Sequence, residues 1–460
     1  MRLTDQFGYE VTVASEACLE AWNATVLAFL AHSKHTPVKL DAALQADPDF
    51  ALAQSVRGLF CLLLGRREMF AAARDCLTTA RRAALERDAT PREQAVIEAL
   101  SAWLDGWPAR AADLLDAALV SAPRDALLVK LVHAIRFVLG DARGMRTSIE
   151  TVLPAHDPTL PTYGYMLGCK AFCLEENGEY RAAEALGRQG LEYAPDDAWG
   201  LHAVAHVHDM TGRSEEGIAW LERHPDGWAH CNNFGYHVWW HLALMYLDQG
   251  DIQRVMALYD SEIRLDKTDD YRDISNAASL LARLELEGVN VGARWEELAL
   301  LSDKRAEDGC NVFADLHYLL ALVNGGRRMG TERLLASMQR QTEAGGDLAP
   351  VFEKAGLPAG LGLEQFRLGN YGSAFMYLRK ARADLPRIGG SHAQRDVFER
   401  LTIDAGMRAG LFEDAKALLQ ERARKRGAVD RYAEQRLEVC ERMRRASRVM
   451  EDERLRASAS

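Results

Sequence analysis

Single glycines follow apolar stretches of helical period along much of the chain, and their spacing constrains the fold more than any other feature. Gly106 and Gly140 lie 34 residues apart, as do Gly178 and Gly212. Between them apolar residues recur at i, i+3, i+4 and i+7, and strand signals are nearly absent. A 34-residue period of helix, glycine turn and helix is typical of the tetratricopeptide repeat.

This pattern is strong over residues 90–265 and looser over residues 20–90 and 310–425. It predicts an all-α fold, a tetratricopeptide-like α-solenoid in which roughly eight or nine helix pairs stack into a right-handed superhelix. The predicted domains are an N-terminal extension (1–20), one continuous solenoid (21–430) and a charged C-terminal helix and tail (431–460).

Composition narrows the classes of function. The chain has 460 residues, 48% hydrophobic and 27% charged, with a net charge of −11. There is no basic excess, so we expect no nucleic-acid partner. No leader or membrane span is expected, and the scattered cysteines, with Cys169 and Cys173 on one helix, favour buried thiols in a reducing cytoplasm.

Seven of the 13 histidines fall between His202 and His241. They include two pairs spaced by four residues, His202 with His206 and His237 with His241. Residues i and i+4 share one helical face, with Cβ atoms about 5–6 Å apart. Each pair can therefore offer two imidazoles to one metal ion or one substrate.

The repeat register places both pairs on first helices, which line the concave groove of such repeats. When each turn glycine is counted as position 15, the groove positions include Trp199, His202, His206, Asp209 and, in the next repeat, His237, Trp240 and Asp248, with His241 beside them. Adjacent first helices pack roughly 8–10 Å apart, so the two pairs are placed to converge.

Imidazoles with carboxylates nearby suit Zn, Fe, Mn or Ni. We therefore predict a divalent metal cofactor (Zn, Fe or Mn), with Asp209 or Asp248 as a further ligand or as the acceptor that fixes a histidine tautomer. The predicted ligands are His202, His206, Asp209, His237 and His241. The alternative is a polar groove without a metal, and the nearby His208 is expected in the core.

Two further groups lie in the C-terminal half. Asp315 and His317 fall on another first helix, and His317 matches the position of His241 if Gly326, rather than Gly325, is the turn residue.

Gly389 and Gly390 precede a helix whose first turn holds Gln394, Arg395 and Asp396. Such an entry can bind a carboxylate, with Arg395 as a bidentate partner. The alternative is that Arg395 and Asp396 cap the helix.

Six blocks resemble the tetratricopeptide repeat protein 38 family. They are TPREQAVIEA, PDDAWGLHAVAHVHDM, YHVWWHLAL, LARLELEGVNVGARWEEL, FADLHYLLA and GGSHAQRDVF, in order over nearly the whole chain. The resemblance implies an all-helical repeat protein without an established biochemical activity. The family's blocks contain the histidines of HAVAHVH and the Gln-Arg-Asp triplet, whereas His392 falls where the family often has Asn and receives no role.

The first functional hypothesis is a metal-dependent enzyme, a hydrolase or oxidoreductase, that acts on a small molecule in the groove. Its catalytic residues would be Asp315, His317, Arg395 and Asp396, and its substrate-binding residues Trp199, Trp240 and Gln394. The alternative is a non-catalytic adaptor that binds a peptide or protein partner. A third possibility is a small-molecule-binding protein whose groove is closed by the last repeats. No membrane partner is expected, and a homo-oligomer is possible.

Overall fold

The computed structural model describes residues 1–458, with side chains described through residue 446; the end of the predicted C-terminal tail lies outside these residues. Antiparallel helix pairs make up most of this part of the chain. The first four pairs are Glu16–Leu30 with Thr36–Ala46 (α1, α2), Ala51–Leu63 with Met69–Arg87 (α3, α4), Pro91–Leu104 with Pro108–Ser121 (α5, α6) and Ala126–Val138 with Ala142–Val152 (α7, α8).

The next four pairs carry the histidines. They are Tyr163–Glu176 with Tyr180–Tyr193 (α9, α10), Ala198–Met210 with Ser214–Glu222 (α11, α12), then, after the short helix Asp226–Ala229 (α13), Phe234–Gln249 with Ile252–Leu258 (α14, α15) and Tyr271–Leu286 with Arg294–Arg305 (α16, α17).

The last three pairs precede a single long helix. They are Val312–Asn324 with Arg328–Gln341 (α18, α19), then, after the short helix Ala349–Val351 (α20), Leu357–Arg367 with Tyr371–Ala381 (α21, α22) and His392–Arg408 with Phe412–Arg426 (α23, α24), followed by Arg431–Ser458 (α25). Short 3-10 segments (Leu153–Ala155, Leu385–Ile388) and π segments (Tyr259–Ile263, Phe352–Gly356) interrupt the helices. The all-α solenoid is confirmed.

The described residues hold eleven helix pairs rather than eight or nine. The spacing undercounts them because the outer repeats depart from the 34-residue period. Gly326, with φ +68°, makes the turn of the α18–α19 pair, whereas Gly325 has φ −80°. A φ in the left-handed region favours glycine, so Gly326 is the turn residue and His317 does occupy the position that corresponds to His241.

The N-terminal extension differs from the prediction in two ways. It contains a hairpin of strands β1 (Arg2–Thr4) and β2 (Glu10–Thr12), and α1 already begins at Glu16, capped by Ser15. The hairpin is joined to α5 because Thr12 donates from its backbone and its hydroxyl to the Glu93 carboxylate, at 2.9 Å each. Strands of three residues are too short for a period-2 pattern to reveal them.

First helices form the inner row of the solenoid. The central ones are buried nearly all round, whereas α1, α21 and α23 are buried on part of their surface. Every residue of α11 is buried, as are residues 312–323 of α18. A second helix such as α19 buries only one face. A helix that is buried all round has neighbours on every side, so these central inner helices must be covered by more than their adjacent repeats.

Later segments of the same chain cover the inner row. The turns of several helix pairs contact residues that lie far downstream in the sequence. These contacts are Arg66 with Asp269 (2.9 Å), Asp347 N with Gly106 O (3.0 Å), His392 N with Glu176 (2.8 Å), Arg426 with Asp209 (2.9 Å), Arg431 N with Asp248 (3.0 Å) and Arg436 with Glu287 (3.0 Å). Gly140 packs so closely on the Pro386 carbonyl that a Cβ would lie 1.8 Å from its oxygen.

The predicted open groove around the histidines is therefore filled by later repeats of the same chain, as the third hypothesis allowed. All eight cysteines are free thiols, and Cys169 and Cys173 are buried as predicted. Among residues 1–458, no helix has both the length and the apolar composition that crossing a bilayer requires.

Candidate metal centre

Four histidines converge at the contact between α11 and α14. We call them the histidine cluster: His202, His206, His237 and His241. The Nε2 atom of His202 lies 2.9 Å from that of His206, 3.0 Å from that of His237 and 3.1 Å from that of His241. The Nε2 atoms of His237 and His241 are 3.2 Å apart. Two helices, each offering two imidazoles, thus direct four ring nitrogens to one point.

These separations resemble the ligand spacing of a tetrahedral ion. Zn–N bonds of about 2.0–2.1 Å in a tetrahedron place the ligand nitrogens roughly 3.3–3.4 Å apart. The four measured separations are 0.1–0.5 Å shorter than that spacing. The residues present therefore fit one small divalent ion held only by imidazole nitrogens, a donor set that suits Zn and Fe.

The cluster is closed to solvent. His206 and His241 are fully buried, His202 is 1% exposed and His237 is 9% exposed. Burial is the main cause that holds the pKa values of His202 and His241 well below the usual range. The same cause lowers the pKa of His237 to about 3. These three rings are neutral at pH 7, and neutral imidazole is the form that ligates a metal.

Hydrogen bonds on the outer side of the cluster fix how the rings are presented. His237 Nδ1 lies 2.9 Å from the Asn276 side-chain oxygen, which can only accept. Nδ1 of His237 therefore carries the proton, and its Nε2 lone pair faces the other histidines. The Nδ1 atom of His206 lies 3.4 Å from Glu175 Oε2.

Neutral histidine rings cannot all form hydrogen bonds with one another in this arrangement. Each ring has one N–H, so the close contacts that converge on His202 Nε2 cannot all be hydrogen bonds. The Nδ1 atoms of His202, His206 and His241 are buried without a hydrogen-bond partner among the described residues. A cation at the point that the Nε2 atoms share would bind their lone pairs, and each Nδ1 atom would then carry the proton of its ring.

Aromatic rings surround the histidine cluster. Trp199 lies 5.2 Å from His202 between ring centroids, and Trp240 stacks on His237 at 5.2 Å with an interplanar angle of 17°. Phe172 stacks on His202 at 5.7 Å. The predicted substrate-binding residues Trp199 and Trp240 therefore pack against the histidines, at 7% and 0% exposure.

The predicted ligand Asp209 does not join the cluster. It pairs with Arg426, whose Nη2 lies 2.9 Å from its carboxylate. The other candidate, Asp248, accepts from Ser214 (2.7 Å) and from the backbone of Arg431 (3.0 Å). Both carboxylates lie near the ends of first helices, where they bind the closing C-terminal segment rather than an ion. His208 is 1% exposed, in the core as predicted.

The structure does not bring Asp315 and His317 into the cluster either. His317 Nδ1 donates to the Phe313 carbonyl at 2.8 Å, and its ring packs between Phe313 and Phe398. Asp315 is buried with neither carboxyl oxygen hydrogen-bonded to any described residue. Burial raises the pKa of Asp315 well above its usual value, which favours the neutral acid.

The predicted anion site at the start of α23 is held by its own side chains. Ser391 and Gln394 form a reciprocal capping box, and the predicted Arg395–Asp396 cap is replaced by it. Arg395 donates to the carbonyls of Gly389 and Gly390 and pairs with Glu176 at 3.3 Å. Asp396 faces Arg400 and Arg422 instead, at 2.7 and 2.6 Å.

Sequence reasoning missed three residues beside His206. We call them the carboxylate cluster: Glu175 and Glu176 at the end of α9, and His392 at the start of α23. His392 Nε2 lies 2.6 Å from Glu175 Oε1. No spacing in the sequence reveals this group, because the two glutamates are more than 200 residues from His392 and meet it only when the solenoid closes.

Comparison with known proteins gives only weak structural similarities. No protein-family model matches the chain. Similar solved structures include a human IFIT1 dimer with m7Gppp-AAAA (13% identity, 96% of this chain and 98% of that one, TM-score 0.38) and yeast Tom70 (12%, 95% and 90%, TM-score 0.35). Another is Naa15/Naa10 bound to HypK-THB (12%, 88% and 62%, TM-score 0.26). The chain is a helical-repeat protein of tetratricopeptide type by its own helix pairs.

Proposed function

We propose that the chain is a helical-repeat scaffold whose interior holds one divalent transition-metal ion. The observation that supports it most is the convergence of four Nε2 atoms in residues no more than 9% exposed, with four of their six separations at 2.9–3.2 Å. Zn and Fe fit the all-imidazole donor set better than Mn does. The bound ion would supply the positive charge toward which the four lone pairs point.

The protein's own residues prepare this centre. His202 and His206 come from α11, His237 and His241 from α14, so one ion joins two neighbouring repeats. Asn276, from the next first helix, holds the tautomer of His237. Four protein ligands in a buried site are typical of structural ions, whereas catalytic ions keep an open position. The geometry therefore favours stabilisation of the scaffold over the metal-dependent reaction predicted from sequence.

A second candidate function is the binding of a protein or peptide partner. A surface cavity of about 340 Å³ lies where α16, α18, α21 and α23 end. Leu320, Leu363 and Leu401 form its buried floor, and Arg367 and Arg408 stand at its rim without a carboxylate partner among the described residues. The apolar floor and the cationic rim together fit an apolar peptide segment that carries a carboxylate.

This candidate is tested with a fluorescent peptide that ends in leucines and a free carboxylate. Wild type should bind it, and Arg367→Glu with Arg408→Glu should weaken binding at least tenfold, while the exposed control Arg143→Glu should not. Equal affinity for all three proteins, or none for wild type, would remove the cavity as a peptide site.

Membership of the tetratricopeptide repeat protein 38 family and a cytoplasmic location belong to the proposal. The quoted sequence blocks support the first, and buried thiols, which a reducing compartment preserves, support the second. Catalytic roles for Asp315, His317, Arg395 and Asp396, and a substrate role for Gln394, are not part of it. Asp315 lies outside the histidine cluster, and the other four side chains engage other parts of the protein.

Metal content tests the principal proposal. Tag-free protein purified without chelator should contain near-stoichiometric Zn or Fe by inductively coupled plasma mass spectrometry, and His202→Ala should remove it while preserving the helical circular dichroism. His208→Ala is the matched control, a buried histidine on the same helix outside the cluster, and should keep the metal. Full occupancy in His202→Ala, or wild type that takes up no metal on titration, would contradict the proposed centre.

A further inference from the structure

The carboxylate cluster touches the histidine cluster through one shared side chain. His206 directs Nε2 to His202, 2.9 Å away, and Nδ1 to Glu175, whose Oε2 is 3.4 Å away. Nδ1 of His206 and Oε2 of Glu175 are both fully buried, and neither has a hydrogen-bond partner among the described residues. An unpaired ring nitrogen therefore faces an unpaired carboxylate oxygen on the side of His206 away from the first centre.

Two more ligand atoms surround the same point. His392 Nε2 lies 2.6 Å from Glu175 Oε1 and 3.7 Å from Glu176 Oε1. One ligand atom from each of Glu175, Glu176, His206 and His392 lies within 4.8 Å of the other three. Two imidazoles and two carboxylates are a donor set that binds Zn and other divalent transition metals.

We propose that Glu175, Glu176, His392 and Nδ1 of His206 form a second site for a divalent transition-metal ion, joined to the first by the His206 ring. This inference rests on the four-histidine centre, because His206 would bridge the two ions as an imidazolate. Binding at the second site releases two protons to solvent, one from His206 Nδ1 and one from His392 Nε2. The charge of the second ion is balanced by the two carboxylates and the bridging ring.

The surroundings hold these ligands in place. Arg395 pairs with Glu176 Oε2 at 3.3 Å, and the backbone N–H of His392 donates to Glu176 Oε1 at 2.8 Å. Oε1 of Glu176 is thereby directed toward His392. Glu175 and Glu176 are 0% and 3% exposed in their side chains. Ligands held by neighbouring hydrogen bonds are typical of metal sites.

Solvent reaches the two sites differently. The His392 side chain is 21% exposed, so an ion beside it keeps access to water. Residues of the histidine cluster are at most 9% exposed. The second site is also assembled from distant parts of the chain, because Glu175 and Glu176 lie on α9 and His392 on α23. Its ion would link the fifth helix pair to the eleventh.

A simpler arrangement uses the same contacts without a second ion. Glu175 would accept hydrogen bonds from His206 and His392, and charged His392 would be a buried ion-pair partner of the two glutamates. The number of ions bound per chain separates the two arrangements, since this one holds a single ion.

The test is Zn²⁺ titration of the full-length apoprotein against a chromophoric chelator, with metal content measured after gel filtration. Wild type should bind two ions, His392→Ala one, and the control His208→Ala two. Glu176→Gln, which keeps the side-chain shape, should also bind one. One ion in wild type, or two in both His392→Ala and Glu176→Gln, would overturn the second site; no ion in wild type would also overturn the four-histidine centre.

Electron paramagnetic resonance of the Cu²⁺-loaded protein tests the bridge itself. Two Cu²⁺ ions joined through one imidazolate should couple and lose most of the mononuclear signal. His392→Ala, with one Cu²⁺, should give the full mononuclear signal. An undiminished signal from two Cu²⁺ ions in wild type would contradict a bridge through His206.

Discussion

Two buried polar groups lie within the closed solenoid, and they differ in how their charges and hydrogen bonds are satisfied. In the arginine cluster (Asp396, Arg400, Arg422 and Asp430), each carboxylate faces two guanidinium groups. Arg422 lies 2.6 Å from Asp396 and 2.7 Å from Asp430. In the histidine cluster, three Nδ1 atoms are unpaired and four Nε2 atoms face one another.

The difference indicates what each group does. A buried ion network whose partners are all present needs nothing else and serves to join elements, here α23, α24 and the start of α25. A buried group whose polar atoms are not all paired requires an explanation. In the histidine cluster, a cation bound by the four Nε2 lone pairs would provide it. Burial is common to both groups, so it is the pairing that distinguishes a structural contact from a ligand site.

The largest effect is expected from a substitution that breaks the ion pairs of the arginine cluster. Arg422→Met leaves two buried carboxylates short of a partner and should cost about 3–5 kcal/mol in the free energy of unfolding, with or without metal. Urea denaturation followed by circular dichroism measures it. Arg424→Met, two residues on in the same helix and exposed, should change stability by less than about 0.5 kcal/mol. Equal effects of the two substitutions would contradict the account of the arginine cluster.

The second-largest effect concerns the histidine cluster. Unlike the arginine cluster, it should stabilise the fold only when a metal ion is bound. Zn²⁺ at a free concentration of 100 times Kd should raise the free energy of unfolding by about 2.7 kcal/mol. In the His392→Ala background, which lacks the proposed second site, His241→Ala should lose this gain, and His208→Ala should retain it. Thermal denaturation with Zn²⁺ and with chelator provides the measurement. A Zn²⁺ response that persists in His241→Ala would place the binding site elsewhere.

Asp315 offers a third comparison, a buried carboxyl without a hydrogen-bond partner in the part of the chain that the structure describes. Because burial raises its folded pKa above the unfolded value, the folded protein binds the proton more tightly, and stability falls as pH rises from about 4 toward the folded pKa. Over that range the loss is about 1.4 kcal/mol per pH unit.

Asp315→Asn should remove this slope, so its stability relative to wild type should increase from pH 4 to pH 8. The exposed Asp75→Asn should leave the slope unchanged. The check is urea denaturation at several pH values; parallel profiles of wild type and Asp315→Asn would show that the carboxyl is satisfied in solution.

The smallest effect concerns the start of α23, where a ligand site was predicted and a capping box is found. Ser391→Ala should destabilise the protein by about 1 kcal/mol because Gln394 N loses its acceptor. Gln394→Glu keeps the reciprocal acceptor and should cost less. Thermal melting compares the two, and a larger loss for Gln394→Glu would argue against a capping role for that side chain.

The sequence predicts the helix pairs and the convergence of His202, His206, His237 and His241, because helical period and the i,i+4 spacing are local features. It does not predict that the groove is filled. Asp209 satisfies the same spacing rule as the histidines, yet it pairs with Arg426, 217 residues away. Glu175 and His392 likewise meet only through superhelical closure, which no local spacing encodes.

The most direct test of the central claim is X-ray absorption spectroscopy of the full-length protein loaded with one equivalent of Zn²⁺. Four histidine ligands predict a first shell of four nitrogens at about 2.0–2.1 Å, with the outer-shell scattering of imidazole rings. His208→Ala should give the same spectrum. A six-coordinate shell dominated by oxygen, without imidazole scattering, would contradict an ion held by the four histidines.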